Sequence, residues 1–200
     1  MKKVAFMLGA LFFLWGSMSF AADKKTSTSP QPPKKPNPIF DTGDIAFTVG
    51  FGYGFLWRAI DIAGGAEYII GKFLIGDFLP FTYGIAARAS YYSWSSAYDS
   101  AYRDTYLGGG VFATLHFGLK DFDFPEGFEY LRNLDTYIGL GAGFYNWSYG
   151  YPSNTESAFR IGFRSTAGIS YFFTPNIGIT TEGGYYGYYS SGLLGIIIKL

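Results

Sequence analysis

Cysteine is absent from the 200 residues, which excludes a disulfide scaffold, a thiolate zinc site and a cysteine nucleophile. Charge is scarce. Charged residues make up 15% of the chain, well below the usual share for a soluble domain. Basic and acidic residues balance at 15 each, so the clustered positive charge of a nucleic-acid binder is missing. Histidine occurs once, at position 116. Beyond the first twenty residues no long apolar run is free of charge, glycine and proline, so no transmembrane helix is expected in the mature chain. Aromatic residues (22%) and glycine (28 residues) are abundant instead.

Lys2 and Lys3 precede an apolar run from Val4 to Trp15, and Ser19-Phe20-Ala21 has the small-x-small spacing of a signal-peptidase site. Residues 1–21 read as a secretory signal peptide, whose removal leaves 13 basic against 15 acidic residues. Residues 23–38 hold five of the nine prolines and four lysines, with no large apolar side chain before Ile39. Residues 22–43 are therefore expected to be a flexible linker, with residues 44–200 as the folded domain.

From Asp44 the chain alternates with period two, the signature of strands. Asp44–Phe55 sets Ile45, Phe47, Val49, Phe51, Tyr53 and Phe55 against Ala46, Thr48 and three glycines. Ile60–Ile70, Leu79–Tyr92, Arg103–Leu119, Asp135–Tyr145, Ala158–Phe172, Ile177–Tyr186 and Gly192–Leu200 repeat the contrast. Eight strands of nine residues or more have the length needed to cross a bilayer at a tilt.

The alternation leaves open which face is enclosed. The bulky face holds more Phe, Tyr, Ile and Leu than the interior of an eight-stranded barrel accommodates. The opposite face is mostly Gly, Ala, Ser and Thr, too poor in charge to keep a protein soluble. Turning the bulky face to lipid and the small face inward resolves both difficulties. The expected fold is all-β, an eight-stranded antiparallel up-and-down transmembrane β-barrel. The strand charges Glu67, Arg88, Arg160, Arg164, Glu182 and Lys199 all fall on the small face, and an internal ion-pair network among them is expected. Tyr and Trp cluster at strand ends. Tyr91, Trp94, Tyr102, Tyr145, Trp147, Tyr185 and Tyr188 are expected to form an aromatic girdle at the headgroup level.

These patterns resemble the small outer-membrane barrels of the OmpA, OmpX and opacity-protein type. The most family-like stretches are Tyr137-Ile-Gly-Leu-Gly-Ala-Gly-Phe144, Gly168-Ile-Ser-Tyr-Phe-Phe-Thr-Pro-Asn176 and Gly178-Ile-Thr-Thr-Glu182. The last strand, with Ile196, Ile198 and Leu200 on one face, is similar to the C-terminal signal read by the barrel-assembly machinery. The resemblance implies an outer-membrane location with both termini periplasmic, and contact with lipid and lipopolysaccharide. It also implies a monomer.

Cell-facing loops are then expected at Leu56–Ala59, Ser93–Tyr102, Asn146–Ser157 and Gly187–Ser191. Longer periplasmic connections fall at Gly71–Pro80 and Lys120–Leu134, with a short helix within Asp121–Leu134. No enzyme activity, cofactor or metal site is expected. His116 lacks the His-x-Ser spacing of the lipid A deacylases, and its strand parity turns it inward. The expected role is structural or at the cell surface, with a narrow small-solute channel as the alternative and an adhesin as a third reading.

Overall fold

The computed structural model describes residues 38–52, 59–76, 79–96, 101–120, 122, 124–185 and 190–200. The signal peptide and residues 22–37 of the linker lie outside them, as do Tyr188 and the side chain of Tyr185.

A strand with one bulky and one small face must bury one of them or close on its neighbours. Here eight strands close. They are β1 (Ile45–Gly52), β2 (Ile60–Ile75), β3 (Leu79–Ser95), β4 (Arg103–Gly118), β5 (Leu134–Tyr151), β6 (Asn154–Phe172), β7 (Ile177–Tyr185) and β8 (Ser190–Lys199). Each is antiparallel to the next, and β8 returns to pair with β1, completing a barrel in chain order. Closure satisfies the ladder hydrogen bonds without a lateral edge through the body of the barrel.

The faces are arranged inside-out relative to a soluble protein. Phe47, Val49, Ile62, Ile85, Leu140, Phe163 and Ile196 point outward and are exposed. Ile161 is 75% accessible. Thr48, Glu67, Thr82, Thr114, His116, Tyr137, Arg164, Thr166, Ser170, Thr180 and Glu182 point inward and are buried.

Several elements differ from the sequence expectations. β2 runs past Ile70 to Ile75 after a bulge between Ile69 and Gly71, which shortens the expected 71–80 connection. Residues 146–157 are mostly strand, because Asn, Ser, Tyr and Thr still alternate there. β5 and β6 stay paired up to Tyr151 opposite Asn154, leaving only Pro152 and Ser153 to turn. Between β4 and β5 the short helix is a 3₁₀ turn over Glu129–Asn133.

The end of the linker is also different. Ile39 and Phe40 are buried, Phe40 completely. They enter the barrel at the mouth where β1 begins and β8 ends and join Ala46, Ile69, Phe172 and Ile197 in an apolar cluster. Two apolar residues beside an open apolar mouth gain more by entering it than by staying in water. The chain then reverses through Asp41–Asp44 into β1. The Asp41 carbonyl accepts from the Asp44 N–H at 3.1 Å. Gly43 sits at φ +94°, a conformation that side chains resist.

The opposite rim is uneven. β3 to β6 are 16 to 19 residues long, whereas β1, β7 and β8 have 8 to 10. Along the longer strands the polarity of the two faces exchanges. One outward row, read across the registers, is Ala89, Gly109, Phe144 and Ile161. The next is Tyr91, Leu107, Asn146 and Phe159, and the one beyond is Ser93, Thr105, Ser148 and Ser157. The outward surface thus turns from hydrocarbon to hydroxyl over two rows. The matching inward row is Tyr92, Tyr106, Trp147 and Ala158.

Candidate functional site: a charged ring across the lumen

The strand register, rather than proximity in sequence, assembles the lumen charges. Arg88 on β3 faces Glu182 on β7, four strands away in an eight-strand ring, so their contact crosses the barrel diameter. Arg88 donates from Nε to Glu182 Oε2 at 3.1 Å and from Nη2 to Glu67 Oε2 at 3.2 Å. A further donation from Nη1 reaches the Ala66 carbonyl at 3.3 Å. Its side chain is 8% accessible, and those of its partners 4% and 3%. Isolated charges would not tolerate this burial; paired and hydrogen-bonded ones do.

Glu67 extends the chain of contacts. Its Oε1 accepts from the Thr114 hydroxyl and faces His116 Nε2 at 2.8 Å. His116 Nδ1 faces Asp135 Oδ2 at 2.7 Å. Each ring nitrogen of His116 thus faces a carboxyl oxygen, which fixes the orientation of the imidazole. The Tyr137 hydroxyl donates to Glu182, and the Tyr137 ring stacks on His116 at a centroid distance of 5.1 Å. The contacts run from Asp135 through His116, Glu67, Arg88 and Glu182 to Tyr137, which returns to the same strand, β5. Small wall residues leave room for these side chains. A Cβ on Gly65 would lie 2.6 Å from Arg88 Cδ, and one on Gly168 would lie 2.5 Å from the Tyr137 ring.

Of the six charged residues proposed from the sequence, Glu67, Arg88 and Glu182 meet in this ring. Arg164 is buried nearer the uneven rim, where it donates to the Tyr106 hydroxyl at 3.2 Å and to the Phe144 carbonyl, with its guanidinium over the Tyr145 ring. Lys199 is at the mouth where β1 begins and β8 ends. It donates to the Ile39 carbonyl at 2.8 Å and pairs with Asp44 at 3.5 Å. Arg160 is exposed and outside the ring; it lies opposite Tyr145 of β5, beyond the described β6–β7 pairing, which begins at Ser165. His116 and Asp135 were missing from the proposed network. Their parity was legible, but their meeting depends on the β4–β5 register that sets His116 opposite Tyr137 and Gly118 opposite Asp135.

The girdle is corrected in the same way. Tyr91 faces outward. Trp94, Tyr145 and Trp147 have inward parity. Tyr145 stacks on Tyr106, Trp94 packs edge-on to Tyr102, and the Trp147 indole donates to Asp104. Tyr102 also meets Tyr151 edge-on at 5.5 Å. These rings line the inner face of the tall strands. Outward aromatics lie instead toward the other mouth, where Phe73 stacks on Phe81 and Phe117 packs against Phe81 at a tilt.

Both nitrogens of His116 are engaged by carboxylates, which leaves none to activate a nucleophile. Among the described residues no three ligating side chains are placed to hold a metal ion. A cavity of about 20 Å³ lies beside Arg88 and Glu182, lined also by Ser90, Gly108 and Leu193. It has room for about one water molecule.

No known family matches the chain, and neither does any curated protein. Among solved structures the chain is similar to Ail, the attachment invasion locus protein of Yersinia pestis. That match is 12% identical, covers 80% of this chain and 99% of that one, and has a TM-score of 0.52. It is also similar to the N-terminal β-barrel domain of Pseudomonas aeruginosa OprF (13% identical, 80% and 98% covered, TM-score 0.46). A third is Neisserial surface protein A (15% identical, 78% and 95% covered, TM-score 0.37). The likeness to Ail shows the fold, a small eight-stranded antiparallel barrel.

Proposed function

We propose that this chain is an integral outer-membrane barrel with a structural or surface role and a lumen sealed by its own side chains. Both termini are on the periplasmic side, and the chain is a monomer. It reaches the membrane through the barrel-assembly machinery and then contacts lipid and lipopolysaccharide. It is not an enzyme. The observation that carries the reading is the lumen-spanning Arg88 contact to Glu67 and Glu182 inside a wall whose outward face is hydrocarbon. Lipid supports such a wall and water does not. Ail, which shares the fold, is an outer membrane protein.

Two measurements test the proposal. Purified mature chain should co-float with phospholipid vesicles and migrate as a compact, heat-modifiable band. In planar bilayers it should give no discrete openings. Regular conductance steps would replace the sealed barrel with the narrow channel.

One observation favours a second reading, surface recognition. β3 to β6 outreach β1, β7 and β8 and carry Trp94, Tyr102, Trp147 and Tyr151 on their inner side. Tyr-rich surfaces supply contact area at low entropic cost. Binding to immobilised matrix proteins that is lost on replacing residues 93–102 and 146–157 would support this reading.

A further inference from the structure

The mouth where β1 begins and β8 ends is closed by a piece of chain that belongs to no strand. Phe40 is fully buried there, edge-on to Phe172 at 5.6 Å and to the His116 ring at 5.0 Å. Its backbone neighbour is held by Lys199, which donates to the Ile39 carbonyl at 2.8 Å and lies over the Phe40 ring at 5.6 Å. Outside the mouth the Asp41 carboxylate pairs with Lys72 at 2.6 Å, both half-exposed. The seat is built into the wall. A Cβ on Gly118 would lie 2.8 Å from the Ile39 backbone nitrogen and 3.2 Å from Ile39 Cβ.

Three features distinguish this segment from an ordinary part of the core. It makes no ladder pairing of its own. Among the described residues its polar attachments are the turn bonds between Asp41 and Asp44, the Lys199 bond to the Ile39 carbonyl and one exposed ion pair. It also sits directly over His116, so it separates the charged ring from the solvent on that side. Elements with few backbone bonds and exposed ion pairs open at low free energy.

We propose that Ile39–Phe40–Asp41 is a displaceable plug, supplied by the chain itself, that controls solvent access to the charged ring from the mouth where β1 begins and β8 ends. In the seated state Phe40 excludes water from His116, Glu67 and Asp135. In the displaced state the segment swings out on the Asp41–Asp44 turn while β1 stays paired. The plug governs access to the lumen whichever membrane holds the barrel.

The composition of the chain makes the test clean, since it has one histidine and no cysteine. In untagged, ¹⁵N-labelled barrel the exchange of the His116 ring N–H groups with water can be read by NMR. Gly118→Val forces the Ile39 backbone off its seat and leaves Phe40 intact. It should speed this exchange at least tenfold while the heat-modifiable band and β circular dichroism stay native. Phe40→Ala should act in the same direction.

The double variant Ile39→Cys with Gly118→Cys places two Cβ atoms near disulfide range. Once oxidised it should slow the exchange at least tenfold relative to its reduced form. Equal rates in the oxidised and reduced forms would show a static plug and overturn the proposal. Unchanged exchange in folded Gly118→Val would overturn it too. If the chain fails to float with vesicles while these exchange differences hold, the membrane reading falls and the plug stands.

Discussion

Arg88 bridges two carboxylates that share no other cation of the ring, so its loss should be the most damaging single change in the lumen. Arg88→Ala removes the guanidinium that Glu67 and Glu182 share and leaves Glu67 with His116 and Thr114 and Glu182 with Tyr137, with an expected cost of about 3 kcal/mol. Urea unfolding in lipid vesicles, followed by tryptophan fluorescence, would measure it. Thr82 presents the opposite case. Its hydroxyl is buried and meets no hydrogen-bond partner among the described residues. Thr82→Val keeps the shape and removes the desolvated oxygen, and should stabilise the barrel by about 1 kcal/mol in the same assay. At this scale the sequence was partly readable. Parity placed Glu67, Arg88, Arg164 and Glu182 on the inner face without any knowledge of neighbours. Which of them touch is decided by register, and register joins residues far apart in the chain. Asp135 and His116 are 19 positions apart and meet only because β4 and β5 pair as they do. Arg160 shows the converse, with the right parity on an exposed stretch of strand beyond the described β6–β7 pairing.

The strands make the position of the membrane boundary testable. Leu140 and Ser148 lie on the same outward face of β5, eight residues apart. Leu140→Arg should cost about 2–4 kcal/mol, as a cation near the middle of the hydrocarbon does. Ser148→Arg, on the hydroxyl row, should change stability by less than about 0.5 kcal/mol. Equal costs in vesicle unfolding would show that the boundary has been drawn wrongly. The turn before β1 gives a second test. Gly43→Ala forces a side chain into a left-handed conformation and should cost about 1 kcal/mol. In the same turn, the hydrogen bond and charge of Lys72 hold the Asp41 carboxyl below the usual carboxylate range. Its contribution is therefore complete above the unfolded value near 4 and fades as pH falls through the depressed one. Both groups are half-exposed, so the effect is small, about a few tenths of a kcal/mol. The stability gap between wild type and Asp41→Asn should be present at pH 7 and narrow as pH falls below 4. The eight elements were legible because period two is a local property. The tips were misread because clusters of Trp and Tyr suggested a girdle, whereas parity continues unbroken to Tyr151 and keeps Tyr145 and Trp147 inside. Phe40 offered no pattern, since two residues have no period.

For the whole molecule, the exchange of polarity along β3 to β6 fixes a height as well as a side. From Phe81 to Tyr91 on β3 the outward positions stay apolar, and about ten residues tilted by ~40° rise about 25 Å. That figure is a built-in gauge. A bilayer of matching thickness would seat the barrel without strain, whereas a thicker one would drag Ser93, Thr105 and Ser148 below the waterline. Refolding from urea into short-chain phosphatidylcholine vesicles should therefore be faster and more complete than into long-chain ones. The row of hydroxyls that ends the greasy belt would then act as a draught mark, assigning this barrel to thin membranes.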